Sequence, residues 1–156
     1  MIHKIKKDIY LLTKKMMDFY LNSYTYLIID KDQAILIEPG SIVDFDVIYE
    51  DVKSLIHPEK IKFIIISHPD PDLTSSLPLF EKHLPNAKIV TEWHTKEILD
   101  FYGLKNDYYF LKENNYTLTL DSKREFHFIS TPFAHYAGAF ITYDTQSKIL
   151  FSGDIF

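Results

Sequence analysis

The chain has 156 residues, of which 46% are hydrophobic, and a formal net charge of −5. This length suits one domain, and the composition argues against a disordered chain. Because the chain contains no cysteine, disulfides, thiolate metal sites and a cysteine nucleophile are excluded. Any metal must therefore be held by histidine and carboxylate groups, which suit iron, zinc or manganese.

The sequence has no pattern typical of a membrane or targeting segment. Its apolar runs fall well short of the ~18 residues that cross a bilayer, and its N-terminus does not resemble a signal peptide. The acidic balance and the lack of a basic stripe with interleaved aromatic residues argue against nucleic acid as a partner. We therefore expect a cytoplasmic protein that binds neither membranes nor nucleic acid.

The first third of the chain predicts strands followed by one helix. Three short apolar runs predict strands, and a polar turn makes a hairpin of the second and third. The segment 45–56 has apolar residues at helical spacing and is closed by Pro58, which predicts an amphipathic helix. The three predicted strands are 9–12, 24–29 and 34–37.

The middle of the chain alternates strands with helices. Residues 63–66 are four consecutive apolar residues, three of them β-branched, which predicts a strand buried on both faces. Ser75 or Ser76 can begin a helix that runs to about Leu84, because Pro78 is tolerated only in a first turn. A strand at 88–91 and a helix at 95–102, which ends before Gly103, complete this part.

The last part of the chain predicts β-hairpins. Residues 117–130 alternate apolar and polar side chains around a turn at 121–123, and the strands 140–143 and 149–151 flank another turn. No linker or internal repeat is visible, so we expect a single sheet-rich αβ domain. The chain stops soon after an apolar strand, which predicts a domain that is cut short.

The most specific motif is the segment Ser67-His68-Pro69-Asp70-Pro71-Asp72, which follows the strand predicted at 63–66. Each proline favours extended backbone in the residue before it. In an extended segment, alternate side chains face the same side. His68, Asp70 and Asp72 can therefore converge on one metal ion, although an ordinary acidic turn has the same composition.

Two further candidates also follow predicted strands. His135 follows the strand that ends at Ser130, and Asp154 follows the strand 149–151, with Gly153 allowing unusual backbone angles. Taken alone, His135 is better explained as a partly buried, hydrogen-bonded histidine than as a ligand, and Asp154 is better explained as a turn aspartate. The five remaining histidines have no partner pattern, and we interpret them as structural or surface residues.

Taken together, these motifs resemble the metallo-β-lactamase superfamily, whose usual pattern is HxHxDH, a distant histidine, a bridging aspartate and a final histidine. The resemblance is strongest to the metallo-β-lactamase domain of flavodiiron proteins, in which an acid replaces the second histidine. It covers nearly the whole chain but only about the first two-thirds of such a domain. The similar segments are 23–29, 57–61, 76–78, 85–88, 131–135 and 149–156.

The resemblance implies a fold and a ligand set. The expected fold is a metallo-β-lactamase-like αββα sandwich of the α/β (α+β) class, incomplete at its C-terminus, with one partial domain over residues 1–156. It implies that His68, Asp70 and His135 hold one iron, that Asp72 belongs to a second iron, and that Asp154 bridges both. Leu73 stands where the motif has its last histidine, so we expect one metal per chain or fewer.

Three functions remain open at this point. The first is a non-haem iron domain that binds O2 or NO, as an oxygen sensor or binding protein or as an O2/NO reductase module. The second is a metal-dependent hydrolase of the same superfamily, which uses metal-bound hydroxide as its nucleophile and contains zinc, although Asp70 in place of the second motif histidine argues against it. The third is a degenerate, non-catalytic domain.

The early chain end also predicts a partner. If the domain is cut short, the strands 63–66 and 149–151 should expose an apolar face that needs covering. We expect a homodimer, or a separate chain that supplies the missing C-terminal part.

Overall fold

The computed structural model describes residues 1–13 and 23–155, which form two β-sheets and four α-helices. The first sheet has seven strands in chain order, antiparallel from the first to the fourth and parallel from the fourth to the seventh. Its strands are β1 (Ile2–Lys6), β2 (Ile9–Leu12), β3 (Thr25–Asp30), β4 (Gln33–Ile37), β5 (Ile61–Ile65), β6 (Lys88–Thr91) and β7 (Tyr108–Phe110).

The second sheet has four antiparallel strands in the order β11-β10-β9-β8. The predicted hairpins at 117–130 and 140–151 form this sheet, so both are confirmed. Its strands are β8 (Thr117–Thr119), β9 (Glu125–Ser130), β10 (Phe140–Asp144) and β11 (Ile149–Phe151).

The helices connect the parallel strands, as parallel pairing requires. The helix predicted after Ser75 or Ser76 is confirmed at Leu77–His83, although the Ser76 hydroxyl donates to the Gly40 carbonyl (2.7 Å) instead of capping this helix. The helices are α1 (Phe45–Leu55), α2 (Pro71–Thr74), α3 (Leu77–His83) and α4 (Trp93–Leu99), with 3-10 turns at Pro58–Lys60, Asp100–Tyr102 and Lys112–Asn114.

The first sheet is covered on both faces. One face packs on Phe45 and Ile48 of α1 and on Phe80 of α3. The other face packs on the second sheet, through side chains that include Phe126 and Phe140. The result is a helix layer, a seven-stranded sheet and a four-stranded sheet, which confirms the α/β sandwich expected from the sequence.

The expectation of a bare face on strand 63–66 is wrong. Ile64, Ile65 and Ile66 are at most 1% exposed, because α1 and α3 cover one side of β5 and the second sheet of the same chain covers the other. The exposed apolar side chains lie elsewhere, and two of them are on the outer face of the second sheet, where Ile129 is 50% and Leu150 45% exposed. Strands β1 and β7 were not predicted, because neither has a clear apolar alternation.

A candidate metal centre

The first two candidate ligands lie where β5 ends. His68 is buried, and Asp70 has extended backbone (φ −60°, ψ 138°) just before Pro71 begins α2. The extended backbone predicted for this segment, in which alternate side chains face the same side, therefore holds as far as Asp70. The extended segment ends there because Pro71 is well suited to the first turn of a helix. Asp72 consequently lies inside α2.

His135 is presented by the loop between β9 and β10. The loop is closed by a hydrogen bond from the Thr131 N–H to the Ala139 carbonyl (2.9 Å), and the Tyr136 hydroxyl ties it to the His94 carbonyl (3.1 Å). His135 itself has a φ of +76°. Left-handed backbone at a non-glycine residue costs free energy and is concentrated at functional sites.

Asp154 follows β11 and reaches the same place from the second sheet. The preceding Gly153 has a φ of +55° and lies against Ser67, so closely that a Cβ atom there would be 2.8 Å from the Ser67 Oγ. Glycine is thus required at this position both by its backbone angle and by the close approach.

The structure brings four of the five candidate side chains together. One ligand atom from each of His68, Asp70, His135 and Asp154 lies within 4.8 Å of all the others. His68 Nε2 is 3.7 Å from Asp70 Oδ2 and 3.5 Å from Asp154 Oδ2, and His135 Nε2 is 3.0 Å from Asp70 Oδ2. At these separations the four ligand atoms can all surround a single metal ion.

The donor set fits a metal ion. His68 Nε2 is buried and has no hydrogen-bond partner among the described residues, which is uncommon for a buried polar atom. Burial lowers the pKa of His68, which favours the neutral ring that a metal requires. The hydrogen bond to Asp70 raises the pKa of His135, which favours the protonated ring beside this carboxylate in the metal-free chain.

The structure does not bring Asp72 into this group. Its pKa is raised by burial and by the nearby charges of Asp154 and Asp70, so it lies in the same electrostatic environment. Leu73 is buried and lines a cavity of about 100 Å³ together with Glu38, Ser67 and Asp154. A role for Asp72 as ligand of a second metal stays a prediction.

Glu38 is a residue of this site that the sequence reasoning missed. It directly follows β4 and is 4% exposed, and one of its oxygens accepts a hydrogen bond from the Ser67 N–H (2.9 Å). Burial raises its pKa to about 8, while the contacts with Ser67 lower it and the charges of Asp154 and Asp72 raise it further. An acid directly after an apolar run was the available signal.

The other histidines lie elsewhere. His83 stacks on Tyr49 with ring centroids 4.4 Å apart, and His57 and His127 are each near an exposed glutamate, Glu59 and Glu125 respectively. Their structural or surface interpretation stays a prediction.

A histidine and carboxylate cluster at strand ends, where two sheets and one helix layer meet, defines a metallo-β-lactamase-like protein. The match to a family model is more specific. Residues 21–156 match the model described as "ODP family beta lactamase", and the chain belongs to this family.

Known proteins with similar sequences include flavodiiron proteins. The chain is 29% identical over 166 residues to an uncharacterized protein, MJ0732, of Methanocaldococcus jannaschii, covering all of this chain and 42% of the relative. It is 27% identical over 144 residues to the flavo-diiron protein FprA2 of Clostridium acetobutylicum, covering 86% of this chain and 34% of the relative. The chain thus spans less than half the length of these relatives.

Solved structures support the same fold. The apo state of the chemotaxis sensor ODP from T. denticola superposes with a TM-score of 0.75 at 26% identity, over 99% of this chain and 63% of the other. The metal-soaked Flv1 flavodiiron core from Synechocystis superposes with a TM-score of 0.83 at 21% identity, over 97% of this chain and 41% of the other. At that identity the second likeness shows the fold alone.

Within residues 1–13 and 23–155, none of the helices combines the length and the apolar character needed to span a bilayer.

Proposed function

We propose that this chain binds iron through His68, Asp70, His135 and Asp154 and thereby binds O2 or NO, as an oxygen sensor or as a reductase module. The convergence of these groups around the unpartnered His68 Nε2 carries the proposal. Iron is favoured over zinc or manganese by the relatives, which include flavo-diiron proteins, nitric oxide reductase flavorubredoxins and the sensor ODP.

The side chains have distinct roles in this proposal. Iron held by histidine and carboxylate groups, with an open position, supplies a site for a diatomic ligand. Asp70 and Asp154 provide the negative charge that a cation balances. His68 is fixed in the core, whereas the side chains of His135, Asp70 and Asp154 are 41%, 43% and 46% exposed. A small ligand can therefore approach from the solvent side, where these three groups lie.

His135→Ala tests the ligand set. We expect it to weaken Fe²⁺ binding at least ~100-fold, because even the loss of an outer-shell partner costs about 10–100-fold. Anaerobic Fe²⁺ titration of metal-free protein measures this. His127→Ala is the matched control, since His127 is also a half-exposed histidine paired with an acid, but on the outer face of the second sheet. Equal affinity of the two variants would contradict the assignment.

Exposure of the iron-loaded chain to O2 or NO tests the ligand. We expect a change in the visible spectrum for the wild type that His135→Ala lacks. A reductase module consumes O2 repeatedly when a chemical reductant is supplied, whereas a sensor binds at most one equivalent per site. Tightly bound zinc with no response to O2 or NO would contradict the proposal.

The stoichiometry is expected to be one metal per chain or fewer. Leu73 offers no lone pair, and it is packed into the core with its carbonyl accepting the Gly40 N–H (3.0 Å). Leu73→His should therefore raise the occupancy only slightly. Elemental analysis of purified protein measures this, and two tightly bound metals per wild-type chain would contradict it.

A further inference from the structure

Glu38 occupies an unfavourable position that its packing alone does not explain. The carboxyl group lies in the core, its Oε2 atom has no hydrogen-bond partner among the described residues, and its backbone has a φ of +51°. Burying an acid and holding a non-glycine residue in left-handed backbone both cost free energy. Such a residue is retained where a neighbouring group depends on it.

The group that depends on Glu38 is Ser67. Its backbone N–H donates to Glu38 Oε1 (2.9 Å), and both this N–H and the Ser67 hydroxyl lower the pKa of the Glu38 carboxyl group. Ser67 is only 5% exposed, and its hydroxyl lies 3.0 Å from His68 Nδ1. Ser67 therefore contacts the Glu38 carboxyl group through its backbone N–H and the ring of His68 through its hydroxyl.

The other nitrogen of this ring faces the candidate metal position. His68 Nε2 is directed at Asp154 and Asp70, 3.5 and 3.7 Å away. In neutral imidazole one nitrogen carries a proton and the other a lone pair. If Nδ1 donates to a fixed acceptor, the lone pair is on Nε2, where a metal ligand needs it.

The second sheet limits where the Ser67 hydroxyl can go. Because a Cβ atom at residue 153 would be 2.8 Å from Ser67 Oγ, the backbone of Gly153 closes one side of the hydroxyl. Ser67 is thus confined between Glu38, His68 and Gly153, which limits the positions open to its hydroxyl.

We propose that Glu38 and Ser67 are positioning residues for His68. Ser67 Oγ accepts the Nδ1–H of His68 and donates to the Glu38 carboxyl, which leaves His68 Nε2 unprotonated and aimed at the metal. This rests on the proposed function for its purpose, but the proton position on His68 can be measured in metal-free protein. The competing interpretation is that Glu38 merely joins the ends of β4 and β5.

The first test is the tautomer of His68, observed by ¹⁵N NMR of the imidazole rings in metal-free protein. We expect the Nδ1–H form in the wild type and a mixture of tautomers in Ser67→Ala. Ser76→Ala is the matched control, because Ser76 is also buried and hydrogen-bonded but donates to the carbonyls of Pro39 and Gly40. An unchanged His68 signal in Ser67→Ala would overturn the proposal, whether or not the protein binds iron.

The second test is the affinity for Fe²⁺ under anaerobic conditions. Ser67→Ala should weaken binding by about 10–100-fold, the usual effect of removing an outer-shell partner of a ligand. Glu38→Gln keeps an acceptor oxygen and should stay within about threefold of the wild type. Glu38→Met removes the acceptor at similar volume and should behave like Ser67→Ala.

The outcomes separate the proposed function from the positioning role of Glu38 and Ser67. If the wild type binds no iron, the proposed function fails and the positioning role is judged by the NMR result alone. If the wild type and Ser67→Ala bind iron equally well, the positioning role fails and the proposed function stands. Equal losses of thermal stability in Ser67→Ala and Ser76→Ala, with weaker iron binding only in the former, would support positioning over a general structural role.

Discussion

Asp144→Ala is expected to destabilise the folded chain by about 3–5 kcal/mol, because it removes the buried partner of a buried cation and leaves Arg124 only the partly exposed Asp8. The side chains of Arg124 and Asp144 are both fully buried. Arg124 donates to Asp144 through Nε (3.2 Å to Oδ1) and Nη2, and its Nη1 atom contacts Asp8 in the turn between β1 and β2. This network ties the N-terminal hairpin to the second sheet.

The control for this prediction is Asp121→Ala, which removes an exposed aspartate from the β8–β9 turn and should change stability by less than about 0.5 kcal/mol. Thermal unfolding measures both, and for a chain of this size the loss in Asp144→Ala corresponds to a decrease in Tm of roughly 10 °C or more. The double variant Arg124→Met, Asp144→Leu should recover part of the loss, because both fully buried charges are removed together. A Tm of Asp144→Ala equal to that of the control would refute the argument.

The metal-free protein is expected to lose stability as the pH rises from about 5 to 8, through Glu38. Burial raises the pKa of Glu38 from its ordinary value of 4.5 to about 8. Between these values the folded chain keeps a proton that the unfolded chain has released. The folded state therefore binds more protons, and the free energy of unfolding falls with increasing pH. The full difference corresponds to at most ~5 kcal/mol.

Glu38→Gln isolates this contribution, since glutamine has the shape of the protonated acid and does not titrate. Urea unfolding of EDTA-treated wild type and variant at pH 5, 6.5 and 8 should show the wild type losing stability relative to Glu38→Gln as the pH rises. The histidines and the other acids are common to both proteins, so their contributions cancel in the difference. Parallel pH profiles would show that Glu38 is ionised in the folded state throughout this range.

Much of the fold was predictable because local patterns determine it. The strand at 88–91 has the predicted limits, and the helix predicted at 45–56 forms at Phe45–Leu55. Apolar alternation and helical spacing act over a few residues and survive in the tertiary structure. The helix predicted after Ser75 or Ser76 also forms, but the Ser76 hydroxyl donates to the carbonyl of Gly40, 36 positions away along the chain, instead of capping the helix.

The sequence by itself determined the residue types at the strand ends, and hence the choice of His68, Asp70, His135 and Asp154 as candidate ligands in a cysteine-free chain. Only the tertiary structure decided which of the candidates meet. Asp72 lies in the first turn of α2 and outside the group of four ligands, and Glu38 lies beside Ser67. The tertiary structure also decided that the second sheet covers β5. The physical reason is that burial, the direction of a side chain and the pKa of an acid depend on contacts between distant segments, which no local pattern records.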